Sequence, residues 1–355
     1  MRPPSQVRHN KTGMIETSTD QALRIGSARL EQPLGVAPMA GMTDTAFRRL
    51  VKRQGGCGLV VSEMVSSEGL VRGIDRTLEY AEYTNEERPV SIQIFGGDPD
   101  KMAEAARIVE GMGADIVDVN MGCPVPKIAK HNAGCSLMKE PEHAASVISA
   151  MTRAVKIPVT VKMRAGWNEA NRNAPTVAKM VEDAGVSAVT VHGRTAAQSY
   201  TGLADWSLVA EVADTLSIPV FGSGDCVTPE QVVEKLRSGV EGVLVGRGVL
   251  RNPWILTQAA DLMAGRSPRQ ISLHQRGQFL LEYIELLLNE RIDEARAVSH
   301  DRWVVNKLRA LGSWYTKGLE NGSHLRTAIN SAESLQKVRD TIATFFTSGA
   351  AISAV

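Results

Sequence analysis

Cys123 stands in "DVNMGCPVPK" (118–127), between a glycine and a proline, one step past an apolar run holding Ile116, Val117 and Val119. A cysteine that only packs belongs inside such a run. This one sits where the backbone must turn and open toward solvent. A thiol with an ordinary pKa of about 8.5 is mostly protonated at neutral pH and can deliver a proton as a general acid. It could instead be a nucleophile, if a neighbour lowered its pKa. Lys127, Lys130 and His131 follow closely and would tune the thiol or attract a polyanion. Cys57, Cys135 and Cys226 read as packing residues. No cysteine pair has C-x-x-C or zinc-type spacing, so neither a metal site nor a disulfide framework is expected.

Other residues ask for a ligand. "GSGDC" (222–226) and "GRGVLRNP" (246–253) offer glycines whose backbone N–H groups can approach a phosphate, with Arg247 as a fixed charge. Lys162 in "VTVKMR" could form an iminium, hold a phosphate or stabilise a developing anion. Gln93 in "SIQIFG" carries an amide suited to a planar heterocycle, and "APMAG" (37–41) makes a small-residue shelf. A phosphate, an amide, a lysine and a shelf together describe a site for a flat phosphorylated cofactor. Flavin mononucleotide (FMN) fits, with the lysine near the anion of its reduced form.

The elements that must position these residues repeat along the chain. Short apolar runs at 34–39, 59–64, 90–96, 115–122, 158–164, 188–194, 219–225 and 242–247 are each followed by a helical pattern. Thr43 or Asp44, Asp98 with Pro99, and Thr228 with Pro229 are start signals for three of those helices. Strict alternation implies a parallel sheet, and eight evenly spaced units favour an α/β fold of the (β/α)₈ TIM barrel type over a doubly wound open sheet. In such a barrel ligands gather at the C-terminal strand ends. Those ends carry Pro38-Met39-Ala40, Glu63, Gln93, Asn120 with Cys123, Lys162 with Arg164, His192 with Arg194, Ser223-Gly224-Asp225, and Gly246-Arg247.

Past residue 260 the strand signal stops. Ser272 and Gln275 form a capping-box pair ahead of an amphipathic run, and further helical periods follow. The expected organisation is a flexible N-terminal extension (1–23), the barrel (24–262) and a small all-helical C-terminal domain (270–350). Of 355 residues, 43% are hydrophobic and 22% charged, with a net charge of +1, so composition points to neither a polyanion binder nor a membrane-surface protein. No apolar run approaches the roughly 20 residues of a membrane helix. A soluble, cytoplasmic monomer is expected.

At "NMGCPVPKIAKHNAGCSLM" (120–138) the chain resembles the tRNA-dihydrouridine synthases, and among them the bacterial B-type branch. "APMAGMTD", "SIQIFG", "VTVKMRAGW", "TVHGRT", "GSGD" and "VGRG" stand in the family's order, and the likeness covers roughly 24–345. The resemblance implies reduction of the C5–C6 double bond of uridine in tRNA, with FMN as cofactor and NADPH as reductant. Hydride would pass from flavin N5 to C6, and Cys123 would protonate C5. It places FMN on Pro38, Met39, Ala40, Gln93, Lys162, His192, Ser223, Gly224, Asp225, Gly246 and Arg247. Asn120 and Arg164 would hold the substrate, with Lys127 and Lys130 nearby, and the helical domain would bind tRNA. Two positions depart from the pattern. Ser223 replaces an asparagine, and Ala310 with Leu311 replace basic residues ahead of Trp314 and Tyr315. A rival, a flavin barrel acting on a free pyrimidine, leaves the helical domain without a purpose.

Overall fold

The computed structural model describes residues 22–129, 132–290 and 299–347. The expected N-terminal extension up to residue 21, together with Lys130 and His131, lies outside the described residues.

β1 (Leu23–Ile25) and β2 (Ala28–Leu30) pair as an antiparallel hairpin, so Leu23, counted above with the extension, is already in a strand. Its turn needs Gly26, which has φ +54° and no room for a Cβ, since one would meet Pro158 Cγ at 2.7 Å. The eight apolar runs then form β3 (Leu34–Val36), β4 (Leu59–Val61), β6 (Val90–Phe95), β7 (Ile116–Met121), β8 (Val159–Arg164), β9 (Ala188–His192), β10 (Val220–Ser223) and β11 (Gly242–Val245). A two-residue strand, β5 (Val65–Ser66), pairs with β6 beyond the end of β4. Every barrel neighbour is parallel, and the β4–β6 and β3–β11 pairings close the circle.

Helix starts follow local chemistry. Asp44 accepts the Phe47 N–H at 2.9 Å to open the helix Thr45–Gln54, and Asp98 caps Pro99–Gly111. Capping boxes open Pro229–Leu236 and Leu273–Leu288.

Alternate strand residues face the barrel axis, which sorts them into layers. Toward the N-terminal end, Leu59, Ile116, Ala188, Phe221 and Leu244 pack with Ile25, Ala28 and Leu30, so the hairpin seals that end. Toward the other end the inward residues turn polar. Strand register sets Asn120 beside Lys162, Arg164 beside His192, and His192 beside Ser223.

After the barrel come the helices Leu273–Leu288, His300–Tyr315, Gly322–Ser331 and Leu335–Thr347. Phe279 sits edge-on to Phe47 of the barrel at 6.2 Å, 5.4 Å from Trp254, and stacks on Tyr315 at 5.8 Å. Each such side chain contributes roughly 1.5–3 kcal/mol through burial. The helical region therefore shares one continuous core with the barrel. Among the described residues no helix is long and apolar enough to cross a membrane, and no cluster of His, Cys, Asp or Glu could hold a metal ion.

Candidate active site

Cys123 lies on a loop pinned from several sides. Asn120 Oδ1 accepts the backbone N–H groups of Gly122 (3.1 Å) and Cys123 (2.9 Å), folding the chain sharply as β7 ends. Arg164 Nε donates to Gly122 O at 2.8 Å, and Cys135 N–H donates to Cys123 O at 3.0 Å. The thiol is half-buried. Burial pushes its pKa up, against weaker pulls from the Val125 backbone and Arg164. The thiol is therefore held protonated at neutral pH, which favours an acid over a nucleophile. Lys127 is exposed on the short helix Pro126–Ala129.

Behind this loop a chain of four polar side chains crosses three strands, β6, β7 and β8. Asn120 Nδ2 donates to Gln93 Oε1 (2.7 Å), and Gln93 Nε2 donates to Asp118 Oδ2 (2.7 Å). Thr160 Oγ1 donates to Asp118 Oδ1 at 2.6 Å. Asp118 was missed in the sequence, although a carboxylate inside "IVDVN" was a signal. Burial raises its pKa, against the bonds from Gln93 and Thr160 and the charge of Lys162. Lys162 is pushed down to about 8 by burial and then by Arg164, with Asp118 opposing. Among the described residues its ammonium has no hydrogen bond or ion pair. The Arg164 guanidinium is taken up by backbone, donating also to Thr195 O (3.0 Å) and Ser199 O (2.9 Å).

Beyond β10 the chain passes through Gly224, at φ +124°, and Asp225, at φ +54°. Asp225 accepts from Arg194 Nη2 (2.6 Å) and from the Ala204 N–H (2.7 Å), so its carboxylate shapes the loop. Gly246 and Arg247 open the short helix Arg247–Arg251, and the Arg247 guanidinium lies 4.7 Å from the Tyr200 ring. Among the described residues His192 Nε2 is buried without a hydrogen-bond partner. Burial, then Lys162, Arg164, Arg194 and Arg247, push this imidazole down to about 2. The ring is therefore neutral. Pro38 and Met39 are half-buried and Ala40 exposed, forming an open ledge after β3. The strand-end residues expected from the sequence thus converge on one mouth.

A cavity of about 600 Å³ adjoins this mouth between barrel and helical region, bordered by Ala40, Gly41, Glu63, Glu290, Trp303 and Lys307. The last three come from the helical side.

The family model described as "Dihydrouridine synthase (Dus)" matches residues 35–350. A probable tRNA-dihydrouridine synthase of Rickettsia conorii is 39% identical over 332 residues, spanning 92% of this chain and 97% of the relative. The tRNA-dihydrouridine synthase B of Xanthomonas campestris is 37% identical, spanning 88% and 92%. A solved 2-naphthoyl-CoA reductase complex shares the fold alone, with TM-score 0.51 and 12% identity over 69% of this chain and 52% of that one. The chain belongs to the dihydrouridine synthase family of oxidoreductases.

Proposed function

We propose that the protein reduces uridine in tRNA to 5,6-dihydrouridine, with FMN bound at the barrel mouth and NADPH as the electron source. The observation that carries this reading is the pairing of a protonated thiol with a cation-ringed mouth on one barrel face. An anionic, flat, phosphorylated ligand fits the residues present. Among the described residues His192 Nε2 and the Lys162 ammonium have no partner, and Gly224 takes a backbone conformation suited to close approach. Ser223, Gly224, Gly246 and Arg247 would hold its phosphate, Pro38 to Ala40 would support its ring, and Lys162 and Gln93 would meet its polar edge. Asp225 would act through Arg194.

Bound there, FMN would supply the hydride for C6 of the uracil. Cys123 would give its proton to C5, and its thiolate would recover a proton from solvent. Asn120 and Arg164 fix the loop from which the thiol acts. The target base must leave its stack, at a cost of a few kcal/mol that is least in an open loop. The thiol and cation ring belong to the barrel, and the helical region would hold the rest of the RNA.

Purified protein incubated with FMN, NADPH and unmodified tRNA transcripts should yield dihydrouridine at defined positions, read by mapping the product along the RNA. Bound flavin with no product on any transcript would sink the assignment.

A further inference from the structure

Where the barrel and helical region meet beside the β10 and β11 loops, a second cavity of about 230 Å³ opens. Arg251, Arg276 and Lys317 line it together with Thr228 and Asn252. It lies just past the candidate phosphate loops, since Thr228 follows Asp225 and Arg251 follows Arg247 within one turn of chain. No carboxylate lines it, and among the described residues none of its three cations forms an ion pair. The neutral side chains are committed elsewhere. Thr228 Oγ1 caps its helix, and Asn252 Nδ2 donates to Gln258 Oε1 at 2.7 Å. Two cations rest on aromatic faces, Arg276 at 5.4 Å from Trp254 and Lys317 at 4.0 Å from Trp314, which limits their freedom. The larger cavity of this seam differs, because Asp44 and Glu63 border it beside Arg48, Arg49 and Lys307, and Lys307 is paired with both carboxylates.

We infer that Arg251, Arg276 and Lys317 form a subsite for a phosphodiester of the RNA backbone, read jointly by both parts of the chain. This rests on the reading that RNA is the substrate. Convergent cations without counterions are stabilised by a polyanion, and the cavity is too small for a whole dinucleotide. RNA would be anchored on the β10–β11 side of the mouth, where the cations carry no carboxylate partners.

The test uses FMN-loaded full-length protein and labelled tRNA transcript, with affinity measured across a salt series. Each cation removed (Arg251→Gln, Arg276→Gln, Lys317→Gln) should lower the slope of log K against log salt by about 0.9 and weaken binding ~5-fold near physiological salt. Flavin content should not change. Arg276 also packs on Trp254, so the double variant Arg251→Gln/Lys317→Gln carries the test if Arg276→Gln fails to fold. An unchanged slope in variants that still make dihydrouridine overturns the subsite alone. A raised KM for NADPH with an unchanged RNA slope also overturns it, and assigns the cavity to the dinucleotide's phosphate. Wild-type protein that neither binds nor reduces RNA overturns the functional reading and the subsite together.

Discussion

Lys307 Nζ, from the helical region, lies 2.9 Å from Asp44 Oδ2 at the mouth of the barrel. Glu63 Oε1 is 3.5 Å from the same ammonium, and the three side chains are only 13%, 8% and 7% exposed. Lys307 also donates to Gly41 O at 3.1 Å, while Glu63 Oε2 accepts the Gly41 N–H. The loop carrying Pro38 to Ala40 is thus gripped at Gly41 by both parts of the chain. Lys307→Met would leave two buried carboxylates facing each other, at a cost of about 3–5 kcal/mol in denaturant unfolding. Flavin affinity should fall about tenfold as the ledge loosens. Lys307→Arg should recover part of both losses. Unchanged unfolding in Lys307→Met would mean that the cluster sheds its charge by protonation.

Glu290 makes the same seam sensitive to pH. Its Oε1 accepts the Ala46 N–H at 2.9 Å, and burial, then Asp44, push its carboxyl up to about 8 against Lys307 and Arg48. A carboxyl raised in the folded state stabilises the fold below its ordinary pKa of about 4.3, and that contribution is lost as pH rises through about 8. Urea unfolding should therefore show wild-type protein losing ~1–3 kcal/mol more than Glu290→Gln between about pH 5 and pH 9. Parallel pH profiles would contradict the assignment.

Cys123 titrates above the ordinary thiol range. Proton donation should stay constant through neutral pH and decline only where the thiolate forms, above about 8.5. Cys123→Ala is expected to retain flavin but to slow single-turnover RNA reduction by about 10²–10⁴. A variant as fast as wild type would remove the thiol from the reaction.

Lys162 sets function against stability. Its pKa is depressed to about 8, so the flavin-free fold carries the burial cost of the charge below that pH. Stability recovers as pH climbs from there toward the ordinary lysine value of about 10.4. Lys162→Met should stabilise the flavin-free protein by ~1–3 kcal/mol at neutral pH, the loss of Asp118's cation offsetting part of the gain. The same change should weaken FMN binding. Thermal unfolding of the apoprotein and a flavin titration check the two halves separately.

The eight barrel strands were legible because each is a short run buried on both faces, and the strand-end residues followed from barrel geometry. The hairpin β1–β2 was not, since "LRI" and "ARL" are too short to show a period. Asn120 and Arg164 were legible as strand-end residues, but their backbone partners at Cys123, Thr195 and Ser199 depend on loop paths that spacing does not encode. The link from Lys307 to Glu63 crosses 244 positions and could not be read locally.

The amide chain running from the Cys123 loop to Asp118 has a fixed polarity. Both lone pairs of Asn120 Oδ1 are occupied by backbone N–H groups, so the Asn120 amide cannot rotate end for end without setting its NH₂ against two donors. Its orientation forces Gln93 to present Oε1 toward Asn120 and Nε2 toward Asp118. The Gln93 amide on β6 is therefore held in a single orientation, with one donor and one acceptor left over. That orientation is dictated by the two successive peptide N–H groups that lead into Cys123, so the loop that places the thiol also fixes which edge of the Gln93 amide faces the mouth.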